Sequence, residues 1–589
     1  MGGNIRGEMK IIGLTSHVTG NHDASVALLE DGKVTFAISE ERISRIKHDN
    51  HFPVNAILEA LSFGKLKLWE VDLFVSGAPP VNILRFIFTY LKGFRFTIFR
   101  KIVQWLIGRS AIFVNGGEDV GSRKGVNTAL EYGIEKKKLI FVPHYLAHAE
   151  TAYHFSGMNK CLVVSWDGYG IDENGAPLCG VIYKGEDGNL VELEKIEVYN
   201  SLALYYGAVT MALGFKLNDG EGKTMGLAVY GKSSSAVKVI RDMFPSFRGG
   251  VWVAKNNWLE INGVSRPDYF RFTPTYRRLR YLIEEYGAEQ IAYAAQKVLE
   301  EEAGRFIKHL TIKYKIKKIA VAGGIFLNVK FNMKLLKDKI VNELFVYPNP
   351  GDGGIAVGAA LVGYKKLGNV LKPVKMESAL LGRSFSKKEI VLALNKFKKE
   401  LQYKDLGNNL YKTVAKHIAQ GEVVGWFTGR DEWGPRALGS RSVLADPRDI
   451  NTKNRINNKL KQRDWFMPFA PVVLEEFKNE VLVHGYGTGF MTLTDDVDIQ
   501  MAKKIPAAIH IDMTARAQVI KREVNPGYYQ IVKEFYNLTK VPALLNTSFN
   551  KHGLPIVHTP KEAIDHLIWG CVDELVIEDF LITRNEKRR

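Results

Sequence analysis

The sequence predicts an α/β protein of more than one domain, and three observations predict it. The chain runs to 589 residues, well past the roughly 250–300 residues at which a single core stops growing and chains divide. Its 46% hydrophobic and 24% charged residues are those of a globular protein, which excludes disordered and fibrous classes. Short apolar runs alternate with longer helix-like stretches, the pattern of strands and covering helices.

The predicted strands are Lys10–Thr15, Ala24–Leu29, Val34–Ile38, Leu139–Val142, Cys161–Trp166 and Ile319–Ala322. Several end directly in Gly, Asp or His, where an open α/β sheet places its ligand groups. A helix is expected over Gln290–His309, rich in Ala, Leu, Glu and Lys. Residues 367–376 (LGNVLKPVKM) read as a linker, which sets the expected domains at 9–370 and 376–585. The second begins with helices over 386–401 and 408–420 and a strand at 422–427. No internal repeat is visible. Residues 81–109 carry six Lys/Arg, no acids and many aromatics, with no apolar run long enough to span a bilayer. Such a segment suits a lid packed on its own domain or a peripheral contact with an anionic membrane surface.

Cys161, Cys179 and Cys571 are the only cysteines and form no CxxC pair, so a disulfide framework or cysteine metal site is excluded. The first nine residues are polar and Gly-rich, and the expected location is the cytoplasm. Lys+Arg 81 against Asp+Glu 63 leaves a net charge of +18. That balance fits anionic small substrates, a membrane face or nucleic acid. With no basic block or nucleic-acid motif, no nucleic-acid partner is expected.

Three local patterns carry chemistry. His144-Tyr-Leu-Ala-His148 puts two imidazoles four apart, on one face of a helix, where they can share a metal ion or stand as ordinary helix histidines. Asp167, at the end of a predicted strand, and Asp352, in Asn349-Pro-Gly-Asp-Gly-Gly, add carboxylates; two His with Asp suit Fe(II), Zn(II) or Mn(II). Glycine turns form the second pattern. Asp219-Gly-Glu-Gly-Lys223-Thr looks like a P-loop, but Leu217 stands where that motif needs glycine. Gly323-Gly324 and Gly351–Gly354 allow close backbone approach to a phosphate, or equally tight strand-to-helix packing. The third pattern is basic: Arg430, Arg436 and Arg441 in one Gly/Pro-rich loop, with Lys461 and Arg463 following, and Asn546 and Ser548 in LNTSFN. Forked guanidinium donors here point to phosphate or carboxylate.

Taken together, the motifs NHDAS (21–25), HYLAH (144–148), WDGYG (166–170), GEGKTMGLAVYG (220–231), AGGIFLN (322–328), NPGDGG (349–354), EWGPRALGSRS (432–442) and PALLNTSFNKHGLPIV (542–557) resemble those of the O-carbamoyltransferases of the nodulation-factor, cephalosporin and aminoglycoside type. They run in family order across nearly the whole chain. The resemblance implies an N-terminal actin/hexokinase-like two-lobed domain and a C-terminal α/β domain similar to the threonylcarbamoyl-adenylate synthase type. It implies that carbamoyl phosphate and ATP, with Mg, form carbamoyl-adenylate in the second domain. The carbamoyl group then passes to an acceptor hydroxyl at a metal in the first. His144, His148, Asp167 and Asp352 would be the metal ligands, with Fe(II) expected. His22 and Asp23 would act on the acceptor hydroxyl, and Lys223 on phosphate. Gly323, Gly324, Asn328 and Gly353 would line the nucleotide. Arg430, Arg436, Arg441, Lys461 and Arg463 would hold phosphates, with Asn546 and Ser548 at the carbamoyl amide. The chain departs from the family at Met467, where many members carry Arg before Pro468. The expected acceptor is a small molecule or saccharide, and the expected assembly a homodimer. The competing readings are a tRNA (threonyl)carbamoylation enzyme and a non-catalytic nucleotide- or metal-binding partner protein.

Overall fold

The computed structural model describes residues 8–16, 23–77, 123–173 and 176–585. His22 and the basic aromatic segment 81–109 lie outside the described residues. The chain divides into two compact units, Met1–Glu40 with His48–Lys375, and Glu41–Lys47 with Met376–Arg589.

The first unit is built on two five-stranded sheets. Strands β1 (Lys10–Thr15), β2 (Ser25–Glu30), β3 (Lys33–Ser39), β4 (Leu73–Ser76) and β5 (Leu139–Phe141) form the first, in the order β3-β2-β1-β4-β5. Strands β6 (Lys160–Ile171), β7 (Pro177–Glu186), β8 (Asn189–Glu197), β11 (Lys318–Ala322) and β12 (Glu343–Val346) form the second, in the order β12-β11-β6-β7-β8. A small hairpin, β9 (Ser246–Arg248) and β10 (Val251–Val253), lies between them in sequence.

The two sheets share one plan. In each, the first three strands form an antiparallel meander, and the fourth and fifth add in parallel beside the first. No internal repeat is visible in the sequence; the duplication is one of topology, carried by strand order and not by shared residues. This is the two-lobed plan of the actin/hexokinase type. β1 (KIIGLT) is buried along nearly its whole length, as expected of a strand covered on both faces. The edge strand β8 (NLVELEKIE) is exposed or half-buried at all but one residue and carries four charges, which guards the open edge.

Two helices lace the sheets together. The helix His144–Phe155 follows β5 of the first sheet but packs on β6 and β11 of the second, and the helix Ile355–Lys366 follows β12 but packs on β1, β2 and β4. Their approach is set by glycine. A Cβ at Gly358 would lie 1.9 Å from the Ala147 carbonyl, and one at Gly13 equally close to the Ala356 carbonyl. Only a residue without a side chain lets helix meet helix, and helix meet strand, at that separation.

The expected linker is held by the first unit up to its last residue: the Val374 amide donates to the His154 carbonyl (2.6 Å), and Lys375 bridges to Ser156. The second unit is one sheet of eight strands: β13 (Leu401–Asp405), β14 (Val424–Phe427), β15 (Arg441–Ala445), β16 (Ala470–Leu474), β19 (Gln518–Ile520), β20 (Ala543–Ser548), β21 (Glu574–Ile577) and β22 (Phe580–Arg584), ordered β13-β22-β21-β14-β15-β20-β16-β19. A separate two-stranded ribbon pairs β17 (Asp495–Asp496) with β18 (Thr514–Ala515). Alternation divides the side chains between two cores: Trp426, Leu444 and Leu544 face one, Phe427, Val443 and Leu545 the other. The expected helices are present as Lys387–Lys396 and Leu410–Ala419, the first ending before 401 because Leu401 opens β13. The short segment Glu41–Lys47 belongs to this unit. Arg45 donates to the carbonyls of Pro555 and Ile556 (2.8 Å each) and pairs with Glu562 at 3.2 Å.

Candidate functional site

In the first unit, four side chains converge where the two sheets meet. His144 and His148 stand one turn apart on their helix, ring centroids 4.8 Å from each other. Asp167 comes from β6, at the point where its pairing with β7 slips between Trp166 and Gly170; such a bulge re-aims a side chain out of the ladder. Asp352 opens the 3-10 turn leading into the helix Ile355–Lys366. His148 Nε2 lies 3.3 Å from Asp167 Oδ2 and 3.5 Å from Asp352 Oδ1, and His144 Nε2 lies 3.9 Å from Asp352 Oδ1. One ligand atom from each residue falls within 4.8 Å of all the others.

The electrostatics fit a cation. Both histidines are buried. Burial, reinforced by His148, pushes His144 down to about 3. Burial also disfavours charge on His148, but the Asp167 and Asp352 carboxylates outweigh it and pull the group up to about 9. Asp167 is held below the usual carboxylate range by the two imidazoles, against the cost of its burial. His144 Nε2, His148 Nε2 and Asp167 Oδ2 are buried without a hydrogen-bond partner, a costly arrangement for polar atoms unless something else binds them. Two neutral-capable imidazoles and two carboxylates make a donor set for Fe(II), Zn(II) or Mn(II). The residues fit the implied metal.

Glycines form the floor of this cluster. A Cβ at Gly324 would lie 2.8 Å from Asp167 Oδ1, and one at Gly170 equally close to His144 Cδ2. Gly323, at φ +109°, lies under the Trp166 carbonyl, and Gly353 packs against Asn349 and Asp23. Gly323, Gly324 and Gly353, read from sequence as nucleotide-lining, therefore all border the ligand cluster or the residues beside it. Asn328 is a correction: its side chain caps the helix Val329–Lys337 through the Phe331 amide (3.0 Å) and exchanges two amide hydrogen bonds with Gln296, leaving little of it for adenosine. Asp23 sits at φ +76° just before β2. Lys223 lies on the helix Glu221–Leu227, its ammonium 5.5 Å from the Phe215 ring centroid.

The second unit gathers cations. Arg436, Arg463 and Arg516 are near one another: burial pushes Arg436 and Arg463 down to about 10, with Arg463 adding to the effect on Arg436. Burial and both of those arginines push Arg516 down as well. Among the described residues no carboxylate pairs with any of the three, and Arg516 Nε is buried without a partner. Guanidinium groups of this kind, with no carboxylate to pair with, are donors suited to phosphate or carboxylate oxygens. Arg516 was not singled out from sequence. It lies 80 residues from Arg436 along the chain, and no local pattern marks it.

Two arginines named with them do other work. Arg441 is fully buried. Its guanidinium donates to the carbonyls of Thr428, Gly429, Ser440 and Arg383, pairs with Asp431 at 2.6 Å and stacks on Phe427. Burial raises Asp431, but Arg441 and His558 outweigh it and hold the carboxyl low. Arg430 donates to the Leu381 and Gly382 carbonyls. Arg441 is thus spent as a structural brace, and Arg430 spends its Nε and Nη2 on the loop before it. Glu432 Oε1 accepts the amides of Leu438, Ser440 and Arg441 at 2.7–3.0 Å, so the loop that presents Arg436 is rigid before anything binds.

Lys461 is likewise engaged. Its buried ammonium meets Ser548 Oγ and carbonyl and Asn550 Oδ1 and carbonyl at 2.5–3.1 Å, so it orients Ser548 instead of reaching for phosphate. Asn546 donates to the Ala437 carbonyl and to Gln518, and its Oδ1 is buried without a partner.

The first unit thus holds a group of candidate metal ligands, and the second a set of arginines with no carboxylate partner among the described residues. The chain belongs to the carbamoyltransferase family: the Carbamoyltransferase N-terminus model matches residues 10–361, and the Carbamoyltransferase C-terminus model residues 415–584. Nodulation protein NolNO of Sinorhizobium fredii is 30% identical over 96% of this chain and 79% of its own. The uncharacterized protein sll1178 of Synechocystis is 31% identical over 98% of this chain and 96% of its own. Among solved structures, component A of (R)-2-hydroxyglutaryl-CoA dehydratase from Acidaminococcus fermentans is 13% identical, covering 61% of this chain and 100% of that one, with a TM-score of 0.34. Among the described residues no helix is long and apolar enough to cross a membrane.

Proposed function

We propose that the enzyme joins carbamoyl phosphate and ATP into carbamoyl-adenylate in the second unit, and transfers the carbamoyl group in the first to a hydroxyl of a small molecule or saccharide. The observation that carries the reading is the unpaired triad Arg436, Arg463 and Arg516 beside an unpartnered buried acceptor, Asn546 Oδ1. Phosphate oxygens satisfy the guanidinium groups, and a carbamoyl NH2 is the donor that Asn546 lacks. An alcohol is a poor nucleophile, so its carbamoylation needs a carbamoyl carbon bearing a good leaving group, which AMP supplies.

In the first unit His144, His148, Asp167 and Asp352 would hold a divalent ion, which when bound polarises the carbamoyl oxygen as a Lewis acid. The side chains beside it have their own tasks. Asp23, packed against Gly353, faces the acceptor side and takes the hydroxyl proton. Gly324 and Gly170 keep the space over Asp167 and His144 clear of side chains. The test is pyrophosphate release from ATP and carbamoyl phosphate with no acceptor present. His144→Ala should abolish metal content and transfer while leaving that release within about twofold of wild type. Loss of both together in a folded variant would overturn the division of labour.

A further inference from the structure

His48 joins two acidic segments beside the ligand cluster. Its Nδ1 lies 2.7 Å from Asp23 Oδ1, and its Nε2 lies 3.5 Å from Asp219 Oδ1. The three side chains are 23%, 26% and 33% exposed, so the group opens to solvent while holding its shape. Each partner comes from a separate stretch of chain. Asp23 precedes β2, Asp219 precedes the helix that carries Lys223, and His48 follows the segment Glu41–Lys47. The backbone is left-handed at Asp23 (φ 76°), at His48 (φ 55°) and at Asn218 (φ 63°), next to Asp219. His, Asp and Asn tolerate that region better than other residues, yet three such positions at one contact mark a site whose surroundings impose it.

The group is also tied to the metal-ligand turn. The Ala24 amide donates to the Asp49 carbonyl (2.7 Å), locking the loop after His48 to the residue after Asp23. Ser25 Oγ donates to the Gly353 carbonyl (2.7 Å), and the Asp23 Cβ lies 3.5 Å from where a Cβ of Gly353 would stand. Gly353 follows the ligand Asp352. The chain thus runs from Asp219 through His48 and Asp23 to the edge of the ligand cluster.

We propose that His48 is a positioning residue for carbamoyl transfer: by donating from Nδ1 it fixes the Asp23 carboxylate at the acceptor hydroxyl, while Asp219 holds the far side of the ring. This rests on the proposed carbamoyl-adenylate reading. In the step so arranged, the acceptor O–H bond breaks and its proton passes to the Asp23 carboxylate. The hydroxyl oxygen's lone pair forms the new bond to the carbamoyl carbon, and the bond from that carbon to the adenylate phosphate oxygen breaks, its electron pair leaving on AMP. Nothing else is consumed.

The test uses the full-length, metal-loaded enzyme, following AMP and pyrophosphate separately, with water and then glycerol as the hydroxyl donor. His48→Ala should lower kcat for AMP release about tenfold to a hundredfold, the loss expected for one charge-assisted hydrogen bond. The first-turnover burst of pyrophosphate, which precedes transfer, and the metal content should not change. His48→Asn, whose amide nitrogen replaces Nδ1, should recover most of the loss, and His48→Gln, which reaches only toward Asp219, should recover little. Wild-type AMP release from His48→Ala, equal rescue by both amides, or loss of metal along with activity would overturn the assignment. Absence of pyrophosphate formation in the wild type would instead overturn the adenylate reading.

Discussion

Replacing Arg436 by Ala takes one forked donor out of the pocket it shares with Arg463 and Arg516. The loss of about 1.5–3 kcal/mol expected for a charge-assisted hydrogen bond should slow pyrophosphate release roughly tenfold to a hundredfold. Arg436→Lys should recover little, since an ammonium keeps the charge but not the fork. Five residues on, Arg441→Ala should act differently. It removes the guanidinium from Asp431 in the interior and leaves that carboxylate with His558 alone, and breaking a buried pair of this kind costs about 3–5 kcal/mol. Its signature is a lower unfolding temperature of the second unit, measured beside the kinetics of the molecules still folded. From sequence the two arginines looked alike, both in a Gly-rich loop with no acid adjacent to either. What separates them is tertiary: β15 begins at Arg441 and carries it inside, whereas Arg436 stays on the loop that Glu432 clamps. Arg516 was invisible for the same reason, its neighbours being chosen by the sheet and not by the chain. His144 and His148 were legible because a spacing of four residues fixes their geometry locally.

At the scale of elements, the site depends on how near two helices can come. Gly358→Ala puts a methyl group 1.9 Å from the Ala147 carbonyl, so the helix bearing His144 and His148 must move away from the one Asp352 leads into. A cost of about 1–3 kcal/mol is expected for overpacking at such a contact. Metal affinity should fall further than stability does, because the ligands stand on the displaced parts. Metal content after dialysis, set beside the unfolding midpoint, separates the two effects. Strand positions were well read from apolar runs: β1 spans the expected residues, and β11 begins one residue earlier than expected. The matching plan of the two sheets was not legible, since strand order depends on pairings between distant segments that leave no mark on composition. Nor was the attachment of Glu41–Lys47 to the second unit, which rests on hydrogen bonds from Arg45 to carbonyls more than 500 residues away.

For the whole molecule, acid should be more damaging than the net charge suggests. His154 is buried with its Nδ1 unpartnered, and burial, with Lys365 nearby, pushes it down to about 4. The unfolded chain takes up that proton near pH 6.5, while the folded one resists until about pH 4. Stability is therefore complete above pH 6.5, falls as the pH drops toward 4, and levels off below, a loss of about 3 kcal/mol for this group. In the second unit His566 shifts the same way, mainly through burial. Thermal unfolding followed from pH 7.5 to 4.5 should show the decline, and His154→Phe should make it shallower for the first unit only, the part due to His144 remaining. A wild-type profile independent of pH would refute this.

The crossing of the two helices has a thermodynamic corollary. Because His144 and His148 arrive from one sheet's last connection and Asp352 from the other's, no partly folded chain holding a single sheet can assemble all four ligands. An ion at that point would be a ligand of the completed first unit alone, so by mass action each tenfold rise in free metal above its dissociation constant adds about 1.4 kcal/mol to that unit's stability. Chelation should then split a single melting curve in two, lowering the midpoint of the first unit and leaving that of the second where it was. An ion bound there would report on folding as much as on chemistry, and a calorimeter can read it without any acceptor being known.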